Sequence, residues 1–193
     1  MRADALKGGF ADAPVDAAHG FRAAMNAMAR PGYIETLRGA VPPAPVSVAA
    51  GSLLLTLCDP ETPLYLAGAH DCQDMRDWVA FHIGAPVVAR QEALFVLGAW
   101  DAVLPLEGYA LGTSEYPDQS ATLIVEMDAL GGGGAILRGP GIKDTATLSL
   151  PDDISLFQRN ATLFPLGLDF FFTAGDQVAA LPRTTKVTHE EVV

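Results

Sequence analysis

The stretch "GLDFFFTAGDQVAALPRTT", Gly167 to Thr185, decides how the rest of the chain is read. An apolar, phenylalanine-rich run comes first, Gly175-Asp176 interrupts it, and a second apolar run follows to Leu181. Two such runs either side of a Gly-Asp break read as strand, turn, strand. Upstream, "ATLIVEM" (Ala121 to Met127) is rich in β-branched and apolar residues and predicts another buried strand. Leu64 to Leu66, Ala93 to Gly98, and Thr145 to Leu150 read as short strands, and Tyr33 to Leu37 alternates like one. Ala135 to Arg138 reads as a strand returning from Ala121–Met127, which makes Gly131 to Gly134 the tip of a hairpin.

Helical patterns occupy the spaces between. Pro14 to Arg30 carries Phe21, Met25 and Met28 at helical spacing and is stopped by Pro31-Gly32. A stiff connector, Pro42-Pro43-Ala44-Pro45, leads into a second helix whose apolar face includes Val48, Leu53 and Leu55. Asp59 to Pro63 is turn chemistry. Asp71 is positioned to cap a third helix that carries Met75, Trp78, Val79 and His82 and ends at Gly84. A last helix is expected from Pro151 through about Phe164, since proline suits a first turn. Helices alternating with strands early and hairpins late predict an α/β domain, a mixed β-sheet flanked by helices. Residues 1–193 are expected to form one domain, with 1–8 and 188–193 as loose ends.

With 193 residues, half of them hydrophobic, the chain can build one sizeable core. Twelve Lys+Arg against 23 Asp+Glu give a net charge of −11, which disfavours nucleic acid and anionic membrane as partners. The start, "MRADALKGGFADAP", has no apolar core behind a basic lead, and the apolar run Val46 to Cys58 is too short to span a bilayer. A soluble, cytoplasmic protein is expected. Cys58 and Cys72 read as two buried thiols in a reducing compartment. Two cysteines cannot supply the four thiolates of an ordinary iron–sulfur cluster.

Motifs for familiar chemistry are missing. "GGGGAILRGPGI" (Gly131 to Ile142) has neither Gly-Lys-Ser/Thr nor a following helix, so it reads as architecture rather than a phosphate cradle. His19, His70, His82 and His189 include no i, i+4 metal pair, and no metal site is expected. His82, at a helix end, is the candidate proton carrier; the alternative is a residue favoured there by the helix dipole. Ser52 follows Gly51 inside an apolar helix, not at a strand-to-helix elbow. Of Lys7, Lys143 and Lys186, Lys143 follows the Gly141 turn but reads as a solvated loop residue. Arg30, Arg138 and Arg183 each sit at a turn or strand end. With the hydroxyls of Thr184 and Thr185, such guanidinium groups suit phosphate or phosphonate. The alternative is that they bond backbone carbonyls and carboxylates within the fold.

Six stretches occur in a fixed order: "GFRAAMNAMARPG" (20–32), "LLLTLCDPETPL" (53–64), "FHIGAP" (81–86), "LRGPGI" (137–142), "FPLGLDFFFT" (164–173) and "ALPRTTKV" (180–187). Together they resemble the PhnH subunits of the bacterial carbon–phosphorus lyase complex, over about Gly9 to Val187. The resemblance implies a part in phosphonate breakdown, in a complex with PhnG-, PhnI- and PhnJ-type subunits. That complex joins a phosphonate to the ribose of ATP, displaces adenine and leaves ribose methylphosphonate triphosphate. A radical step on an iron–sulfur subunit later cuts the carbon–phosphorus bond. The resemblance also implies a homodimer and a fold similar to the large domain of pyridoxal-phosphate transferases, without that or any other cofactor. Asp118 stands where the family pattern leads one to expect glutamate, so no catalytic carboxylate is carried to it. Two functional readings follow: an accessory, assembling subunit, or a transferase or lyase component with its own site of Arg30, His82, Arg138 and Arg183 for ATP or phosphonate.

Overall fold

The computed structural model describes residues 7–131 and 133–189. Its centre is the strand pair from the opening stretch, β7 (Asp169–Ala174) and β8 (Gln177–Leu181), joined antiparallel through Gly175-Asp176. On the other side of β7 lie three strands parallel to it: β4 (Thr122–Glu126), β3 (Phe95–Ala99) and β2 (Leu64–Leu66). A two-residue β1 (Glu35–Thr36) closes the far edge antiparallel to β8, giving the order β1-β8-β7-β4-β3-β2. The sheet is mixed, as expected.

Period-two alternation sends the phenylalanines to opposite faces. Phe171, Ile124, Leu97 and Leu66 face a core shared with α1 (Ala13–Ala29), α2 (Val48–Leu57) and α3 (Gln73–His82). Phe170, Phe172, Leu123 and Val125 face a second core, shared with α4 (Trp100–Val103), α5 (Ser155–Thr162) and a small antiparallel sheet. There Phe157 meets Phe170 edge-on at 5.2 Å and Trp100 stacks on Phe157 at the same distance. Apolar residues on both faces explain why these strands read as continuous hydrophobic runs.

The small sheet has the order β6-β5-β9, from β5 (Ala135–Arg138), β6 (Ala146–Leu148) and β9 (Lys186–His189). It corrects the expected hairpin across the glycine run. β4 is already paired on both edges, with β3 and β7, so β5 has no edge of β4 to join and pairs instead with β6 and β9. The glycine segment is a crossing between sheets; Gly132 lies outside the described residues.

Other boundaries moved for local reasons. α1 packs its small face, Gly20, Ala23, Ala24 and Ala27, inward. A Cβ at Gly20 would stand 2.3 Å from Thr56 Oγ1, so α1 and α2 approach closely only because the residue is glycine. Phe21 and Met25 are therefore on the outer face, 53% and 54% exposed, and are not core residues. Asp71 does not cap α3, because its carboxylate is held by Arg76 at 2.5 and 2.8 Å and the helix begins at Gln73. α5 begins at Ser155 rather than Pro151, where Asp153 Oδ1 accepts both the Ser155 N–H and its hydroxyl. Cys58 is buried but Cys72 only half-buried. At the ends, Gly8 O accepts from Val41 N–H at 2.8 Å and Thr188 and His189 belong to β9; residues 1–6 and 190–193 lie outside the described part. Among the described residues, no helix is long and apolar enough to cross a membrane.

Candidate functional site

Arg183 follows β8 and turns back over the sheet. Its backbone N–H donates to Asp169 Oδ1 at 2.8 Å. Its Nε reaches both carboxylate oxygens of Asp169 at 3.2 Å. Nη1 donates to Pro117 O at 2.9 Å and Pro165 O at 3.3 Å, while Nη2 donates to Asp169 Oδ2 and to the Ser120 hydroxyl. Every N–H of the fork is engaged. The side chain is 11% exposed. Three distant segments meet on one guanidinium: the loop leading into the start of β7, the turn before β4, and the end of β8.

The residues around this lock show why "FPLGLD" reads as it does. Asn160 in α5 donates to Leu168 O and accepts from Leu168 N–H, both at 2.8 Å. Gly167, at φ 123°, passes so close that a Cβ would lie 3.0 Å from Asn160 Oδ1. The "RGPG" turn does similar work on the other side. A Cβ at Gly141 (φ 80°) would stand 2.0 Å from Ala29 O, and one at Gly139 3.1 Å from Thr184 O. The turn is thus wedged between the end of α1 and the segment after Arg183. The stretches around Arg30, Arg138 and Arg183 come together through this turn.

Their side chains do not. Arg30, exposed at the end of α1, lies over the Tyr33 ring at 5.8 Å. Arg138 is exposed at the end of β5, directly opposite Lys186 of β9, and no hydrogen bond or ion pair holds either among the described residues. Thr184 lines a groove beside Lys186, whereas Thr185 is 2% exposed with its Oγ1 buried and unpartnered. His82 stands on the opposite face of the large sheet from Arg138. Its α3 neighbours Trp78, Val79 and Ile83 belong to the core on one face of the large sheet, and Arg138's neighbours Leu137 and Val187 to the core on the other. His82 Nε2 lies 3.1 Å from Lys7 O, and its ring packs on Trp78 and Phe81. Among the described residues, Arg30, His82, Arg138 and Arg183 thus share no hydrogen-bond partner.

At the carboxyl ends of β4 and β7, where open α/β sheets commonly hold ligands, the polar side chains bond within the fold. Glu126 Oε1 accepts the Ser47 N–H at 2.7 Å and Oε2 the Thr173 hydroxyl at 3.1 Å. The carboxylate and the Ser47 hydroxyl together cap α2. Ser52 is also structural, its Oγ accepting the Ala40 N–H at 3.1 Å. Elsewhere Arg90 donates to the carbonyls of Leu104 and Pro105 and lies over Tyr109 at 5.0 Å. Burial pushes the Tyr109 phenol up to about 12, against a smaller lowering by Arg90. Burial likewise raises the Cys58 thiol. Among the described residues no group of three or more His, Cys, Asp or Glu side chains is placed to hold a metal ion.

Residues 8–188, which include every part of the Arg183 lock and the Gly139–Gly141 turn, match the model of one family: bacterial phosphonate metabolism protein (PhnH). The chain belongs to the PhnH family. A relative from Rhizobium meliloti (strain 1021), the alpha-D-ribose 1-methylphosphonate 5-triphosphate synthase subunit PhnH, is 44% identical over 193 residues, covering 95% of this chain and 96% of the relative. A second, HtxG of Stutzerimonas stutzeri, provisionally named a C-P lyase subunit protein, is 28% identical over 172 residues, covering 86% and 83%. For this PhnH chain, sequence reasoning missed Asp169 and Ser120 as partners of Arg183 and Lys186 as the neighbour of Arg138. Asp169 stands inside the opening stretch, and its place between Leu168 and three phenylalanines is a visible signal of a half-buried charge needing a partner. The Arg138–Lys186 pairing depends on β5 joining β9, which nothing local announces.

Proposed function

We propose that this chain is a non-catalytic subunit of a ribose methylphosphonate triphosphate synthase, working with PhnG-, PhnI- and PhnJ-type subunits in the cytoplasm. The complex couples a phosphonate to the ribose of ATP with loss of adenine, and this subunit contributes surface and shape rather than reacting groups. It is a homodimer before assembly, on a cofactor-free version of the pyridoxal-phosphate transferase fold.

The observation that carries the non-catalytic part is the fate of the arginines and the histidine. Arg183 spends its fork on Asp169, Ser120 and two carbonyls, and His82 lies across the sheet from Arg138. General acid–base work and oxyanion stabilisation need such groups within hydrogen-bond reach of one substrate. Titration calorimetry of the isolated chain with ATP and with methylphosphonate tests the reading. No saturable heat at millimolar ligand is the expected result; a saturable isotherm that Arg138→Ala abolishes would favour a substrate site of the chain's own.

A further inference from the structure

A groove of about 630 Å³ runs between α5 and β9 on the same side of the molecule as the small sheet. Its walls include Pro140, Ala161, Phe164 and Val187, with Thr184 and Lys186 on the β9 side. Gln158 of α5 also lines it and donates to Val187 O at 2.9 Å, holding the two walls together. Phe164 is 61% exposed and its neighbour Leu163 42%. Scattered apolar residues on a surface are ordinary; here an exposed phenylalanine forms part of an apolar groove, which is a different matter.

The charges here set the groove apart from the rest of the chain. Net charge is −11, yet the one charged residue lining the groove is Lys186, with Arg138 directly opposite it across the β5–β9 pair. Two like charges facing each other across strands cost stability unless something answers them. No ion pair among the described residues does.

We propose that the α5–β9 groove docks an apolar segment bearing a carboxylate, contributed by another subunit of the synthase. The proposal rests on the subunit reading given above. The segment's apolar side chains fill the space against Ala161, Phe164 and Val187, and its carboxylate meets Lys186 and Arg138. Apolar burial supplies the affinity, and the basic pair sets register and encounter rate. A second copy of this chain fits poorly, because the groove's own lining holds no carboxylate to answer Lys186 and Arg138 across a self-complementary two-fold contact. A polyanionic small ligand fits poorly too, since the walls are mainly apolar and would strip its charges of water without enough donors.

The test is co-expression of the full chain with its PhnG-, PhnI- and PhnJ-type subunits, followed by purification and measurement of affinity. Phe164→Ser and Lys186→Glu are each expected to weaken assembly by about tenfold or more, with thermal midpoints no lower than the wild type's. Phe21→Ser, on the exposed outer face of α1, is expected to assemble like the wild type. Lys186→Glu carries the test if Phe164→Ser does not fold, because it exchanges one exposed side chain for another and places a carboxylate opposite Arg138. The proposal is overturned if both groove variants assemble normally while the subunit reading stands. It is also overturned if only Phe21→Ser loses assembly, or if the groove variants lose self-association or ATP or methylphosphonate binding with assembly intact. Should the unaltered chain fail to assemble at all, the subunit reading falls and the docking proposal with it.

Discussion

Arg138 and Arg183 enter the chain in similar dress, each after an apolar strand and before a glycine- or threonine-bearing turn. Their surroundings could hardly differ more. Arg183 is 11% exposed and joins three segments through Asp169, Ser120 and two proline carbonyls. Arg138, exposed, faces Lys186 with no bond holding it among the described residues. One arginine has become part of the fold; the other is left on the surface. The turn Gly139–Gly141 separates the two environments while packing against both the end of α1 and Thr184. A signature residue's type therefore says little about its work until its hydrogen-bond partners are known.

The largest effect is expected at Arg183. Arg183→Met leaves Asp169, 23% exposed, without its cation and strips partners from Pro117 O, Pro165 O and Ser120. Breaking a pair this enclosed should cost about 3 kcal/mol or more. Urea denaturation measures it, and a loss below about 1 kcal/mol would break the contrast drawn between the arginines. Arg183→Lys should recover little, because an ammonium cannot reproduce the planar fork.

Next in size is the turn between them. Gly141→Ala adds a methyl 2.0 Å from Ala29 O at a φ of 80°. Left-handed strain and overpacking together should cost about 3 kcal/mol. Gly131→Ala, whose Cβ would come no closer than 3.5 Å to Ser149 Oγ and whose φ is not left-handed, should change stability by about 0.5 kcal/mol at most. Equal losses at the two glycines would mean that the "RGPG" wedge is no more important than the glycine run.

Much of the fold was legible in advance, and the reasons are physical. The runs around Leu64, Val96, Ile124 and Phe171 are buried on both faces, so they read as strands without help from distant sequence. The register of β5 was not legible, because it depends on β4 having both edges taken by β3 and β7. The apolar face of α1 misled for a related reason. Phe21 and Met25 follow helical spacing, but the inward face needed small residues where α2 comes close at Gly20. Among the candidates, three arginines were found by residue type, whereas the division of labour between Arg138 and Arg183 needed Asp169 and Lys186 in place.

Arg90 offers an intermediate case that sharpens the comparison. It is partly buried, bonded to two carbonyls, and lies over Tyr109, whose phenol is pushed up to about 12 by burial. A phenol raised above its usual value of 10.0 stabilises the fold fully below that value, and the contribution is lost as pH climbs toward about 12. Ultraviolet titration should therefore show a late phenol ionisation that belongs to Tyr109. Its removal in Tyr109→Phe should delete that late step and flatten the alkaline loss of stability. A late step that persists in the variant would assign it elsewhere.

Arg138→Ala should have the smallest effect on stability and is the most informative about the pair. The substitution removes no hydrogen bond among the described residues, and it relieves a like-charge contact with Lys186 across β5 and β9. Cross-strand pairs of this kind are worth roughly 0.2–1 kcal/mol, so the variant should be unchanged or slightly more stable. Any gain should shrink as salt rises, because screening already weakens the repulsion between exposed charges. Denaturation midpoints at low and high salt measure both statements. A loss as large as that of Arg183→Met would show that Arg138 is also held within the fold, and the contrast between the two arginines would collapse. A small gain that salt erases would leave its charge, retained at a cost in stability, best explained by what it meets on a partner.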